Sequence, residues 1–153
     1  MRRRDVLRLG AGALALAGIG GVASADEASY APKGEVAVEG TQEVAPTEDG
    51  TFAAVAAGDG FAMVDVNDPA NPSIAAERGN LLSDAENGPM KNIADVKIDG
   101  DRLLVTGPNN PPREGEVVKA AVLYDITDPA NPEQLDTLTV DHAIHNRDRK
   151  SVV

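Results

Sequence analysis

The octet DVNDPANP at residues 65–72 returns, with two changes, as DITDPANP at residues 125–132. Both copies contain an Asp-Pro-Ala-Asn tetrad. This tetrad suits a type I turn, because Pro fixes φ at the second position and Asp accepts a hydrogen bond from the backbone two residues on. The Pro that ends each octet disfavours helical geometry at the preceding Asn. Each octet therefore predicts a turn that joins two strands.

The sequence around each octet predicts a four-stranded unit. Apolar runs precede the octets at residues 61–64 and 121–124, and an Asp-Gly pair followed by another apolar run stands further upstream, at residues 49–50 and 99–100. Asp-Gly between apolar runs is a strong hairpin signal, so each unit is predicted to be strand, hairpin, strand, strand, turn and strand. Four antiparallel strands of this kind form one blade of a β-propeller.

We therefore predict an all-β fold built from β-propeller blades in an incomplete ring. Two four-stranded antiparallel blades are expected at residues 43–80 and 92–140, and a third blade is expected to begin within residues 141–153. Residues 26–42 form an N-terminal segment, in which residues 35–39 are interpreted as a strand that closes the ring from another blade.

Two long loops are predicted outside this regular pattern. One joins the blades at residues 81–91, and the other lies inside the second blade at residues 109–116. Long loops on one rim are where propellers usually carry their specificity.

The stretches FAMVDVNDPANP at residues 61–72 and AVLYDITDPANP at residues 121–132 resemble the LVIVD repeat of secreted bacterial and archaeal proteins. The core of that repeat is a run of apolar residues followed by Asp, Val, a small polar residue and Asp-Pro. The resemblance covers most of residues 43–140 and is specific in the turn but loose elsewhere, since Ala62 and Tyr124 depart from the usual aliphatic residues. It implies a β-propeller fold, and it implies no defined biochemical activity.

The first 25 residues have the pattern of an export signal. Three arginines at residues 2–4 precede residues 9–22, which are only Leu, Gly, Ala, Ile and Val, and the small-residue cleavage site Ala-Ser-Ala follows at residues 23–25. The stretch RRDVLR at residues 3–8 resembles a twin-arginine motif, which implies export after folding, and a Sec signal is the alternative. We expect an extracellular or cell-surface protein with no stable membrane span after cleavage.

The charge of the chain limits its partners. Cleavage after residue 25 removes four of 14 basic and one of 25 acidic residues and leaves a net charge of −14. Such a charge repels nucleic acid and anionic lipid surfaces. With only five lysines, the composition resembles that of proteins from salt-loving archaea, and binding of multivalent cations is the alternative interpretation. The absence of cysteine excludes disulfides and lipid attachment through Cys.

The two histidines of the chain, His142 and His145, are candidate ligands for a transition metal. Residues three apart on a strand point to opposite faces, which argues against joint ligation, so a packing or hydrogen-bonding role is the alternative.

The repeated aspartates are assigned structural roles first. Asp65 and Asp125 interrupt apolar strands at equivalent places, where a carboxylate needs hydrogen-bond donors from the adjacent turn. A calcium site is the alternative, although the complete EF-hand pattern is absent. No cofactor is predicted, and calcium or a transition metal stays an open option. The predicted structural residues of the two turns are Asp65, Asp68, Pro69, Asn71, Pro72, Asp125, Asp128, Pro129, Asn131 and Pro132.

The repeat pattern stops near the end of the chain. Aligning Ile144 with Ile93 requires an apolar strand and an Asp-Gly pair next, but residues 147–153 read RDRKSVV. We interpret these seven residues as foreign to the fold, the product of a truncated reading frame, and a natural basic tail is the alternative. Two blades would leave faces and edges unpaired, which predicts partial folding or self-association through the unpaired blade faces.

These patterns favour a scaffold over an enzyme. The chain has no Cys, no G-x-S-x-G and no phosphate-binding glycine loop outside the signal. We expect a secreted or cell-surface interaction or ligand-binding scaffold, with an unknown protein or small molecule as its partner. The alternatives are a metal-dependent enzyme or metalloprotein that uses a channel-facing His142 or His145, and a surface module stabilised by calcium through Asp68 and Asp128.

Overall fold

The computed structural model describes residues 31–109 and 116–144. Eight strands form two four-stranded antiparallel sheets in this part of the chain, and no helix occurs in it. The predicted all-β class with two four-stranded antiparallel sheets is confirmed, and the sheets are not closed into a ring. The first sheet contains β1 Thr41–Pro46, β2 Phe52–Ala57, β3 Gly60–Asp65 and β4 Ser73–Arg78, and the second contains β5 Asp95–Asp99, β6 Arg102–Gly107, β7 Ala120–Asp125 and β8 Glu133–Thr139.

Glycine allows the tight hairpins between neighbouring strands. Gly58 begins the two-residue connection of β2 to β3, and Gly100 begins that of β5 to β6. Their φ angles of 58° and 56° lie in the left-handed region, which a residue without a Cβ adopts at little cost. The Asp-Gly pair of the first unit lies in a longer loop, because β1 ends at Pro46 and β2 begins at Phe52.

Residues 35–39, interpreted from the sequence as a strand that closes the ring from another blade, form no strand with either sheet, and β1 begins at Thr41. The chain before β1 contacts the first sheet by packing at Gly34 and forms no strand-to-strand hydrogen bonds there. A Cβ at Gly34 would lie 2.6 Å from the carbonyl oxygen of Pro69 and 2.7 Å from that of Ala70, so this segment lies directly on the Asp-Pro turn of the first sheet. A close steric fit between a glycine and a turn does not change the pattern of apolar residues, so the sequence pattern does not predict this contact.

Each sheet has two faces, which we name from equivalent positions in the repeat. The leading face carries Ala54, Ala56, Phe61 and Met63 in the first sheet and Leu104, Thr106, Ala121 and Leu123 in the second. The trailing face carries Ala53, Val55, Ala62 and Val64 in the first sheet and Leu103, Val105, Val122 and Tyr124 in the second. The strand registers place the members of each set on the same side of their sheet.

The hydrophobic core lies where the leading face of the first sheet meets the trailing face of the second. Phe61 and Met63 on one side and Leu103 and Val122 on the other are at most 2% exposed. Unlike faces of the two sheets therefore meet, and the sheets do not pack as a mirrored pair.

Equivalent backbone hydrogen bonds recur in the two units. The amide of Ile93 donates to the carbonyl oxygen of Gly58 at 2.9 Å, and the amide of Ile144 donates to the carbonyl oxygen of Pro108 at 3.2 Å. Since Gly58 and Pro108 both follow the second strand of their sheets, the chain leaves each sheet in the same way.

Candidate functional site

A polar cluster joins the two sheets where β1 approaches β5. Glu43 of β1 accepts hydrogen bonds from the amide of Val96 at 3.0 Å and from Lys97 Nζ at 2.6 Å. Lys97 Nζ also lies 2.8 Å from Asp95 Oδ1. We call Glu43, Asp95 and Lys97 the junction cluster. Its carboxylates and ammonium group form a polar link between the two sheets beside their apolar core.

The junction cluster keeps Lys97 protonated. Partial burial alone would lower the pKa of Lys97, but the hydrogen bonds and charges of Asp95 and Glu43 outweigh burial and raise the pKa above its ordinary 10.5. A nucleophilic or Schiff-base lysine needs the opposite shift. The cluster is therefore suited to holding the sheets together and not to amine catalysis.

Thr106 adds a buried hydroxyl beside this cluster. It pairs in register with Asp95, it is 4% exposed, and its Oγ1 has no hydrogen-bond partner within the described residues. Asp95 is itself only 6% exposed. The only two buried polar residues of the described chain are thus neighbours across β5 and β6.

The two Asp-Pro turns have the same hydrogen bonds. Asp68 Oδ1 accepts from the amide of Ala70 at 3.0 Å, and the amide of Asn71 donates to the carbonyl oxygen of Asp68 at 2.9 Å. The side chain of Asn71 also donates to Asp68 Oδ2 at 2.7 Å. Asp128, Ala130 and Asn131 repeat this pattern, with 3.0 Å between Asn131 Nδ2 and Asp128 Oδ2.

These hydrogen bonds explain the acidity of the turn aspartates. The side-chain amide of Asn71 and the backbone amide of Ala70 lower the pKa of Asp68, and Asn131 and Ala130 do the same for Asp128. Every carboxylate oxygen of both aspartates already accepts a hydrogen bond from the chain. A calcium ion at either position would compete with those donors.

Asp65 and Asp125 hold the chain as it leaves β3 and β7. Asp65 Oδ1 accepts from the amide and the side chain of Asn67, both at 2.9 Å. Asp125 Oδ1 accepts from the amide of Thr127 at 2.8 Å and from its hydroxyl at 2.6 Å. Asp125 Oδ2 also pairs with Arg102 at 2.8 Å. The Thr127 hydroxyl is the largest cause of the lowered pKa of Asp125.

The candidate metal ligands are only partly described. His142 is exposed, and its Nδ1 lies 2.8 Å from Asp141 Oδ1, while His145 lies outside the described residues. Across residues 31–109 and 116–144, no three His, Asp or Glu side chains are grouped so that they could hold a metal ion. The described contact of His142 is therefore with the carboxylate of the preceding residue, Asp141.

A surface groove lies beside the Asp-Pro turn of the second sheet. It has a volume of about 610 Å³ and is lined by Arg78, Asp125, Thr127, Asp128, Asn131, Pro132 and Glu133. Arg78, at the end of β4, donates to the carbonyl oxygen of Pro132 at 3.4 Å. Three carboxylates and one guanidinium group thus line the same concave surface.

Sequence reasoning found the turn residues but not the junction cluster or the groove. Glu43 and Lys97 are 54 residues apart, as are Arg78 and Pro132, and neither pair repeats between the units. The signal in the sequence is limited to β5, where Lys97 stands between Val96 and Ile98 in a strand that also contains Asp95 and Asp99.

A scan against protein-family models and searches of curated proteins and of solved structures find no match. In the described ranges, the structure has no helical segment that would span a lipid bilayer.

Proposed function

We propose that this chain is an exported repeat protein of the β-propeller type, and that it acts outside the cell as an interaction or ligand-binding scaffold. One observation supports the proposal: the amide of Ile144 donates to the carbonyl oxygen of Pro108 as that of Ile93 donates to Gly58, which is the contact expected where a third unit would begin. Stacked sheets of equivalent build are the architecture that propellers use to present loops on a rim.

The groove beside Arg78 is the proposed contact surface. It contains residues of both sheets, so its shape depends on how the units stack. Its carboxylates, Asp125, Asp128 and Glu133, together with the net charge of the chain, favour a partner that brings positive charge or amide donors.

Export is tested with the full chain carrying a C-terminal tag. We expect the tagged chain outside the cytoplasm in a host with a twin-arginine system, and we expect Arg3→Lys with Arg4→Lys to retain it inside. Arg2→Lys is the matched control, because it lies outside the paired arginines. Export that survives the double substitution would assign the signal to the Sec route.

Ligand binding is tested by selecting displayed peptides on the full chain. Peptides that bind the wild type and Lys91→Ala equally, but bind Glu133→Gln more weakly and Arg78→Ala with a changed affinity, would support the groove as the contact surface. Lys91 is exposed and lies outside the groove, so it controls for the loss of one positive charge. Binding that Arg78→Ala and Glu133→Gln leave unchanged would contradict the assignment.

The metal alternatives are tested with the same protein. Elemental analysis of the purified chain, and thermal melts with calcium, zinc or a chelator, would distinguish a metalloprotein from a metal-free scaffold. A chelator-sensitive melt that is lost in His142→Ala would favour the metalloprotein, and one lost in Asp128→Asn would favour the calcium module.

A further inference from the structure

The leading face of the second sheet is more exposed at Leu104 and Leu123 than the equivalent positions of the first sheet are, although Thr106 on the same face is buried. Ala54 and Met63 are 0% exposed in the first sheet, whereas their equivalents Leu104 and Leu123 are half-buried in the second. Leu138, which pairs in register with Ala121 on this face, is 65% exposed. The second sheet therefore presents an apolar surface of the same kind that the first sheet packs into the core.

Residues 147–153 do not continue the apolar pattern that β5 has after Ile93. If the chain after Ile144 followed the register of the chain after Ile93, Arg147 would stand at the position of Val96 and Arg149 at that of Ile98. Val96 is fully buried in the core, and Ile98 packs against it. Arginine at both positions would oppose apolar contact with Leu104 and Leu123.

The charges at the two ends of this face are opposite. The strand registers place Lys97, Leu104, Leu123 and Asp136 in one row from β5 to β8. Two copies can face each other through these sheets about a two-fold axis that lies between them, parallel to the strands and centred between β6 and β7. This axis would bring Lys97 of one copy opposite Asp136 of the other, and Leu104 opposite Leu123. The row next to the hairpin between β5 and β6 contains Asp99, Arg102, Asp125 and Glu133. In this row Arg102 of one copy would face Asp125 of the other, and Asp99 would face Glu133, so electrostatic attraction and repulsion between the copies offset each other.

We propose that the leading face of the second sheet pairs with the same face of a second copy of this chain, in a two-fold dimer. A like-with-like contact of this kind closes at two copies. A head-to-tail stack would need the trailing face of the first sheet, whose central residues Ala53, Val55, Ala62 and Val64 are at most 8% exposed. Lys97 has three donors, two of which serve Glu43 and Asp95, so a third can serve the partner's Asp136.

Sedimentation of the full chain tests the dimer in about 3 M KCl, over a concentration series wide enough to resolve mass action. We expect a monomer–dimer equilibrium in the wild type. Leu138→Asp should raise the dimer dissociation constant at least about tenfold, because it places a carboxylate in the apolar contact. Val44→Asp is the matched control, since Val44 is 54% exposed but lies on the first sheet.

Asp136→Lys tests the charge pairing with a second, fully exposed position. It should weaken the dimer by placing Lys opposite Lys97, whereas Glu48→Lys, an equal charge reversal in the first sheet's loop, should not. Circular dichroism shows whether each variant is folded, and if Leu138→Asp fails to fold, Asp136→Lys decides. The proposal would be overturned by a wild type that stays monomeric or that assembles without limit. It would also be overturned by a dimer that is lost in Val44→Asp and kept in Leu138→Asp.

Discussion

The ring of Phe61 in the first sheet meets the ring of Tyr124 in the second edge-to-face, with 4.8 Å between centroids and an angle of 64°. Phe61 is 2% and Tyr124 is 3% exposed. Two of only four aromatic residues in the chain thus contact each other across the core. Edge-to-face geometry aligns the positive edge of one ring with the negative face of the other, which favours one relative placement of the two sheets.

In a double-mutant cycle, the losses of unfolding free energy caused by Phe61→Leu and Tyr124→Leu should sum to more than the loss in the double variant. We expect a coupling of about 0.5–1.5 kcal/mol, because either substitution alone already removes the ring contact. Chemical denaturation followed by circular dichroism measures it. Phe52→Leu serves as the control, since Phe52 lies in β2 and contacts only the edge of the core. Equal coupling of Tyr124 with Phe52 would argue against a specific ring pair.

Lys97→Met should destabilise the fold by about 1–3 kcal/mol, because it leaves the buried carboxylate of Asp95 without its ammonium partner. Lys91→Met is the matched control: Lys91 is exposed, and the same change there should cost less than about 0.5 kcal/mol. Denaturant titration at neutral pH measures both. Equal effects of the two substitutions would mean that the junction cluster does not hold the sheets together.

The alkaline limit of stability should depend on Lys97. Its pKa is raised in the folded protein, so its ion pairs stabilise fully below the ordinary value of 10.5, and this stabilisation is lost as pH rises through the folded pKa. Burial also raises the pKa of Tyr124, which adds to the alkaline loss in every variant. The wild type should therefore lose stability above about pH 10.5 more steeply than Lys97→Met. Parallel curves would show that Lys97 does not contribute.

Asp128→Asn should lower the melting temperature and flatten the acid side of the stability profile. The pKa of Asp128 is lowered by Asn131 and Ala130, so its contribution is present above the ordinary value of 3.8 and lost as pH falls through the folded pKa. Asparagine at position 128 keeps one oxygen that can accept from the backbone amide of Ala130. Its NH₂ group cannot accept the hydrogen bond that the side-chain amide of Asn131 donates to Asp128. Melts between neutral pH and the acid transition, with Asp84→Asn as the exposed control, measure the difference.

Salt should stabilise the protein. A net charge of −11 for the whole chain places many carboxylates on a small surface, and their mutual repulsion is screened as ionic strength rises. We expect the melting temperature to rise from about 0.15 M to about 3 M KCl. Sodium chloride at equal ionic strength should act similarly, while sucrose controls for preferential exclusion. A melting temperature that falls over this range would contradict the interpretation of the composition.

The sequence predicts those parts of the fold that depend on neighbours in the chain. Asp68 and Asn71 are three residues apart and complete their hydrogen bonds locally, and Gly100 supplies the left-handed conformation of its own hairpin. The apolar runs between the turn signals add the strands and therefore the two four-stranded sheets. Nothing beyond the local chemistry of turns and strands was needed for these elements.

The remaining features depend on contacts that the repeat does not encode. Lys97 belongs to the junction cluster, but the strand registers place Ala45 at the equivalent position of the first unit, so comparison of the units gives no signal for this lysine. Glu43 reaches Val96 and Lys97 only because β1 and β5 come together when the sheets pack. The close approach of Gly34 to the turn at Pro69 and Ala70 is likewise a three-dimensional property.

The amide of Ile93 and the amide of Ile144 bind carbonyl oxygens, which every residue type provides. The link from one sheet to the next therefore places little demand on the side chains at that point, and Gly58 and Pro108 serve equally well. A gene encoding such units tolerates duplication or deletion of a whole unit, since the new neighbour finds the same backbone acceptor. Selection could then act on the length of the array separately from the loops that each unit carries.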